Sequence, residues 1–387
     1  MKMEQVYNIV NTITGEILGD TVVVNEDLSN IVDIGRAFQN AGSLDNFVRA
    51  LNDHVGRMVF VDRVYSGRAP SVLMDGWEYG SILEKVRGDL PEATENETWE
   101  LENGASYDPN IFTKPEVSVK FFNDRTTFEV PVSFTERQVK SAFTNAVQMN
   151  AFMSMIRTNV ENSLTVKTDA LIMRTINSGI GETLYADFPG GTYTGASGVK
   201  AVNLLYLYND RFTQNLTAAA AVTDPAFIRF ASYVIKNYIR RMQDMSRLFN
   251  VSGTAKFTPA DRMHVVMLDE FKNAAEVYLY DGLNQFNTEN IRFPRSIETV
   301  SYWQGSGLDY GFASSSAINI KIPTGHTVSA SGVLGVIFDR DTLGVTNIDA
   351  RVTTNYNPKA EFYNEWHKRD AGYFLDLDEN FVVFYVA

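Results

Sequence analysis

Apolar residues recur three or four positions apart from Val139 onward: Phe143, Ala146, Met149, Met153, Ile156, Val160, Leu164 and Leu171, with Lys167 at the same spacing. That period puts them on one face of an α-helix. Just before them, Thr135-Glu-Arg-Gln138 has the spacing at which a threonine and a glutamine satisfy free amides at a helix start. The pattern predicts a helix from Thr135 to about Ser178, roughly 60 Å long at 1.5 Å per residue. Asn177-Ser-Gly179 supplies its stop. Globular helices average about a dozen residues, so this one predicts a strut or a coiled coil.

Upstream the period falls to two. Val117, Val119 and Phe121 alternate with Ser118 and Lys120, and Phe128, Val130, Val132 and Phe134 alternate with Glu129, Pro131 and Ser133. With turn chemistry at Asn123-Asp-Arg125, the two runs predict a hairpin. Pro131 cannot donate to a ladder, so its strand is expected at an edge. A further short strand is expected at Met58–Val64, and no strong helix between about 67 and 115. The result is a long, partly extended arm feeding the long helix.

Downstream, Asp224-Pro225 reads as an N-cap followed by proline at the first helical position. Phe227, Ala231, Val234, Tyr238, Met242, Met245 and Phe249 then share one face. Met263–Leu268 reads as a buried strand, Asp269 opens another helix, and Val333–Phe338 is a further strand. Tyr373–Val386 is strand-like around a turn at Asp378-Glu-Asn380. This alternation gives an α/β or α+β second half. Gly179–Gly198 and Gly305–Gly335 read as loops or irregular strands. Asp89–Asn103 reads as an acidic, solvated excursion, and His367-Lys-Arg-Asp370 as a charged segment ahead of the last strands. No fixed-period repeat is present, which argues against solenoids and propellers.

Composition narrows the function. The 387 residues carry 34 basic and 47 acidic side chains, a net charge of −13, where a dedicated nucleic-acid binder should be basic. No apolar run is long enough to span a bilayer, and no charged-then-apolar leader follows Met1. With no cysteine, disulfides, thiolate metal sites and cysteine nucleophiles are excluded. Phosphate loops, dinucleotide fingerprints, nucleophile elbows and His-Glu-x-x-His are all missing. The four histidines, His54, His264, His326 and His367, are scattered, and His264 lies in an apolar strand. Asp339-x-Asp341 and Asp376-x-Asp378 resemble pairs that hold a hard divalent ion. Such sites need several converging carboxylates, however, and two are common at turns. No catalytic, cofactor-binding or metal residue is therefore expected, and no cofactor. Trp77, Tyr79, Trp99 and Tyr107 stand in a stretch too poor in apolar groups to form its own core, so a neighbouring subunit's surface is their expected cover.

The order of elements resembles the major capsid proteins of tailed bacteriophages, with the Hong Kong 97-type (Johnson) fold, in general order nearest those of short-tailed phages. Arg262-Met-His-Val-Val-Met-Leu-Asp-Glu-Phe271 resembles the strand that turns into a helix in the axial domain. Val336-Ile-Phe-Asp-Arg-Asp341 and Asn364-Glu-Trp-His-Lys-Arg-Asp370, with the final strands, resemble the return into the peripheral domain. The resemblance implies an α+β fold in five parts. These are an N-terminal arm (1–56), an extended β-hairpin loop (57–134), a peripheral domain with the spine helix (135–223), an axial domain (224–345) and C-terminal return strands (346–387).

It also implies a virion protein made and assembled in the bacterial cytoplasm. Copies would form hexamers and pentamers of an icosahedral head around double-stranded DNA, bound without sequence specificity, with no membrane and no turnover. About 55 residues precede the arm, too few for a long coiled-coil scaffold, so a separate scaffolding protein and a portal are expected partners. Some relatives crosslink lysine to asparagine between subunits. Lys85 and Lys114 lie in the arm, but no asparagine partner is identifiable. The rival readings are a metal-dependent transferase using an Asp-x-Asp pair, and another self-assembling phage part from tail or portal.

Overall fold

The computed structural model describes residues 3–19, 24–40, 69–74, 83–88, 116–142, 146–278, 297–304 and 312–387, with a few single positions between. The strand expected at Met58–Val64 lies outside them. In chain order the first strands are β1 (Leu83–Gly88), β2 (Val117–Phe122), β3 (Asp124–Thr135), β4 (Ala201–Asn203), β5 (Met263–Leu268) and β6 (Glu298–Val300). There follow β7 (Ile318–Lys321), β8 (Thr327–Ala330), β9 (Val333–Asp339), β10 (Leu343–Asn357), β11 (Phe362–Leu375) and β12 (Phe381–Tyr385).

A five-stranded mixed sheet, in the order β4-β12-β9-β5-β6, forms the centre. The unbroken apolar run Phe381–Val386 belongs to an interior strand covered on both faces, where continuous hydrophobicity replaces alternation. Val382, Phe384 and Val386 point into one core, and Phe381, Val383 and Tyr385 into the other.

Three helices cover the first face: Leu204–Phe212, Pro225–Arg241 and Asp269–Tyr278. The caps follow from sequence. Asn203 Oδ1 accepts from the Tyr206 amide at 3.1 Å, and Asp224 Oδ1 from the Phe227 amide at 2.7 Å, with Pro225 in the first turn. Phe227, Ala231 and Met242 are buried as expected. The helix stops at Arg241, so Met245 lies past its end and is exposed.

Against the second face lies the far end of the long helix. Its start matches expectation: the Thr135 amide donates to Gln138 Oε1 at 2.8 Å, and the Gln138 amide to Thr135 Oγ1 at 3.3 Å. Helix is present at Glu136–Ala142 and again at Ala146–Asp187. The expected stop at Gly179 is wrong, and so is the loop expected over 179–187. Gly179 and Gly181 serve close packing instead. A Cβ on Gly179 would stand 2.8 Å from the Phe381 ring, and one on Gly181 would stand 2.5 Å from Ile322 Cγ2. Lys167 is exposed; Thr168 takes its place on the buried stripe, its hydroxyl donating to the Leu164 carbonyl at 2.9 Å.

The expected hairpin does not form. β3 lies antiparallel along β11 in a sheet ordered β10-β11-β3, while β2 pairs with β1. Local alternation marks both strands but carries no information about which partner each finds. Among the described residues β3 borders only β11, so Pro131 does sit on an edge strand. His367–Asp370, expected ahead of the last strands, lies inside the central strand β11. Its charges pair across the ladder, as Lys368 with Glu129 (3.2 Å) and Asp370 with Arg351. In the amino-terminal segment, helices Met3–Leu18 and Ile31–Asn40 bury Val10, Ile13, Ile34 and Phe38, and Leu28 is buried in the turn that precedes the second.

Candidate functional site

β1 and β2 form a two-stranded ribbon of their own, with Val86 opposite Val119 and Lys85 opposite Lys120. An isolated ribbon is marginally stable in water and needs a surface to lie on. It finds one in the turn between β11 and β12. Lys85 Nζ lies 2.7 Å from Asp376 Oδ2 and 3.1 Å from Glu379 Oε1, and donates to the Asp341 carbonyl at 3.0 Å. Lys120 Nζ bridges Asp376 Oδ1 (3.0 Å) and Asp378 Oδ2 (2.7 Å), and Arg87 Nη1 reaches Asp378 Oδ2 at 2.9 Å. Lys256 Nζ adds a contact to Glu379 at 2.8 Å, and the Phe122 ring packs on Phe374. Asp376 also shapes the turn, its Oδ1 accepting from the Asp378 amide at 3.1 Å.

Burial disfavours the charges of Asp376, Asp378 and Lys85, but the pairing wins. Around Asp376, burial is outweighed by the Lys85 hydrogen bond and charge, the Asp378 amide and Lys120, so its pKa is lowered. For Asp378, Lys120 and Ser252 overcome burial in the same direction. Burial would push the Lys85 ammonium down, but the hydrogen bonds and charges of Asp376 and Glu379 raise it.

The opposite face of the ribbon is apolar and open. Val86, Val117, Val119 and Phe121 are 62%, 59%, 43% and 65% exposed. The polarity departs from an ordinary half-buried ribbon: Lys85, Arg87 and Lys120 face inward beside Leu83 and Phe122, while three valines and Phe121 face outward beside Glu84.

This arrangement places both acidic pairs among cations. Asp376, Asp378 and Glu379 face four cations, Lys85, Arg87, Lys120 and Lys256. Asp341 pairs with Arg262, whose Nε is 3.9 Å from Asp339 Oδ1; burial raises the pKa of Asp339. Among the described residues, no group of three or more His, Asp or Glu side chains is placed to hold a metal. His264 stacks on Phe338 and lies 3.6 Å from Glu298, His326 stacks on Tyr185, and His367 lies 3.2 Å from Glu365. The interface residues expected from sequence, Trp77, Tyr79, Trp99 and Tyr107, lie outside the described residues. Lys85 is engaged within its own chain, whereas Lys114 is exposed. Sequence reasoning missed the partners of the acidic pairs. The signal available was the alternation of Lys85, Arg87 and Lys120 with apolar neighbours, which reads as a solvent face when taken alone.

No helix among the described residues is long and apolar enough to cross a membrane. The model of the Phi29-like phage major capsid protein family matches residues 9–385, and the chain belongs to that family. A comparison with curated proteins finds no match. Solved structures give distant likenesses. In the capsid of Staphylococcus phage Andhra, identity is 12% and TM-score 0.48, over 84% of this chain and 87% of that one. For a chain of the bacteriophage P68 head fiber and inner core protein structure the values are 10% and 0.45, over 82% and 83%. In the mature capsid of bacteriophage PhiM1 they are 9% and 0.42, over 84% and 86%. Family membership makes this a major capsid protein, a structural component of the virion that assembles into multimeric shells.

Proposed function

We propose that the chain is a shell subunit of the Hong Kong 97 type, divided as an N-terminal arm (1–56), extended loop (57–134), peripheral domain (135–223), axial domain (224–345) and return strands (346–387). Its copies form the hexamers and pentamers of an icosahedral head around double-stranded DNA, with a separate scaffolding protein and a portal. Assembly takes place in the host cytoplasm, and no residue is catalytic. The observation that carries this reading is the reversed polarity of the β1–β2 ribbon. An outward stripe of Val86, Val117, Val119 and Phe121 on an electrostatically anchored base needs a neighbour to cover it. Trp77, Tyr79, Trp99 and Tyr107 extend that contact along the same arm.

Exposed apolar positions can be changed without disturbing the fold, which gives a clean test. The variant Val119→Asp with Phe121→Asp should melt within about 1 kcal/mol of the parent, yet fail to enter shells when the parent does. Normal shells from that variant, seen by negative-stain microscopy, would remove the ribbon from the interface.

A further inference from the structure

The five-stranded and three-stranded sheets are joined by two short links, residues 340–342 between β9 and β10 and residues 376–380 between β11 and β12. The links bond to each other: the Asp376 amide donates to the Thr342 carbonyl at 2.6 Å, and the Thr342 hydroxyl to the Asn380 carbonyl at 3.1 Å. The long helix packs against strands of both sheets, β12 of the larger and β10, β11 and β3 of the smaller. Two short strand-to-strand links side by side make a hinge, and its angle is set by what else crosses it.

Residues 69–74 cross it. At one end Ser71 donates to Glu298 Oε1 from its amide, at 2.9 Å, and from its hydroxyl; Glu298 stands on β6, an edge strand of the five-stranded sheet. At the other end the Met74 amide donates to the Val345 carbonyl at 2.8 Å, and the Val345 amide to the Val72 carbonyl at 3.3 Å. The segment therefore lies parallel to β10, on the side away from β11. Its seat is apolar and close. Val72 is buried in the core that both sheets share with the long helix, and Ala69 and Leu73 pack against it. A Cβ on Gly344 would stand 2.7 Å from Met74 Sδ, so the glycine lets the segment lie close on β10. Glu298 Oε2 is buried without a hydrogen bond among the described residues, with His264 Nδ1 3.6 Å away. A bare buried oxygen is unfavourable; the two charge-assisted bonds at Oε1 offset it.

We propose that residues 69–74 are a strap that fixes the angle between the two sheets, with Glu298 as the positioning residue that holds it. The same arm meets the joint again at the ribbon, where Lys85 donates to the Asp341 carbonyl of one link and pairs with Asp376 of the other. One arm thus closes the joint at two places. The strap's part in assembly rests on the shell-subunit reading: a subunit of fixed angle gives shells of one curvature.

The chain has no cysteine, so two introduced ones report on the joint alone. Ala226→Cys lies exposed on helix Pro225–Arg241, which covers the five-stranded sheet, and Thr353→Cys lies exposed on β10. Spin labels at both, read by pulsed electron resonance in the full-length chain, should give one narrow distance distribution. Glu298→Gln should broaden it and raise hydrogen exchange at the Ser71, Met74 and Val345 amides about tenfold, leaving the β10–β11 ladder beyond Asp349 unchanged. Ser71→Ala, which removes one of the two donors, should do both more weakly. Shells of the Glu298→Gln chain should spread in diameter where the parent's are uniform. Unchanged exchange would show that Glu298 does not hold the strap. Faster exchange with a distribution as narrow as the parent's would show that the joint is fixed without it. Either result overturns the proposal, and uniform shells from Glu298→Gln would overturn the role in curvature. A parent chain that forms no shells would sink the shell-subunit reading, while the two measurements on the single chain would still decide the strap. Should Glu298→Gln misfold, Ser71→Ala at its exposed position carries the same test.

Discussion

Asp376 holds the ribbon from both sides, with one oxygen on Lys85, the other on Lys120, and its own turn amide besides. Asp376→Asn removes the charge but keeps the shape, leaving Lys85 half-paired in a partly buried site. Lys85 and Lys120 keep some access to water, so the cost is well below that of a fully buried pair, about 1–2 kcal/mol. Chemical denaturation of the unassembled subunit measures it. The pH dependence follows from the directions of the shifts. Asp376 and Asp378 are held below the ordinary carboxylate value, so their contribution is complete above the unfolded pKa of about 4 and is lost as pH falls through the lower folded values. Lys85 is held above its ordinary value, so its contribution is complete below about 10.4 and is lost as pH rises through the folded value. Ribbon protection in hydrogen exchange should therefore be flat from about pH 5 to 9 and fall outside that window. Uniform protection down to pH 3 would mean that the seam does not hold the ribbon. The acidic pairs were visible in sequence, yet their partners stand 291 and 256 positions away, where no local pattern reaches.

At the scale of elements, local chemistry was legible and partnership was not. The Thr135–Gln138 box, the Asp224-Pro225 start and the strand Phe381–Val386 each follow from physics acting within a few residues. Gly179 and Gly181 misled because a glycine that ends a helix and one that admits a neighbour look alike in sequence. Their different work has a direct test. Gly181→Ala pushes a methyl group onto Ile322 and should destabilise the subunit by about 1–3 kcal/mol, although alanine is the better helix former. A thermal melt unchanged or raised would show that the helix can shift away from the β7–β8 hairpin at no cost. The pairing of β2 with β1 and of β3 with β11 escaped for the same reason as the ion pairs. Alternation specifies a face, and here even the face is inverted on the ribbon, where an anchored charge network outweighs the usual preference for apolar residues inside.

For the whole molecule, a strut helix with no recognisable catalytic constellation read in sequence as a building block, and family membership agrees with that class. What single-chain reasoning leaves open is where each unpaired surface goes, because a shell subunit completes its burial only among copies. The apolar outer stripe of the ribbon is unfinished in one chain. The most direct measurement of the central claim is electron microscopy of the full-length chain co-expressed with the proposed scaffolding protein. Closed shells, with the β1–β2 ribbon of each copy lying on a neighbour and Val119 and Phe121 buried there, are the expected result. A chain that stays monomeric at high concentration with scaffolding protein present, or shells in which that face of the ribbon meets only solvent, would contradict it.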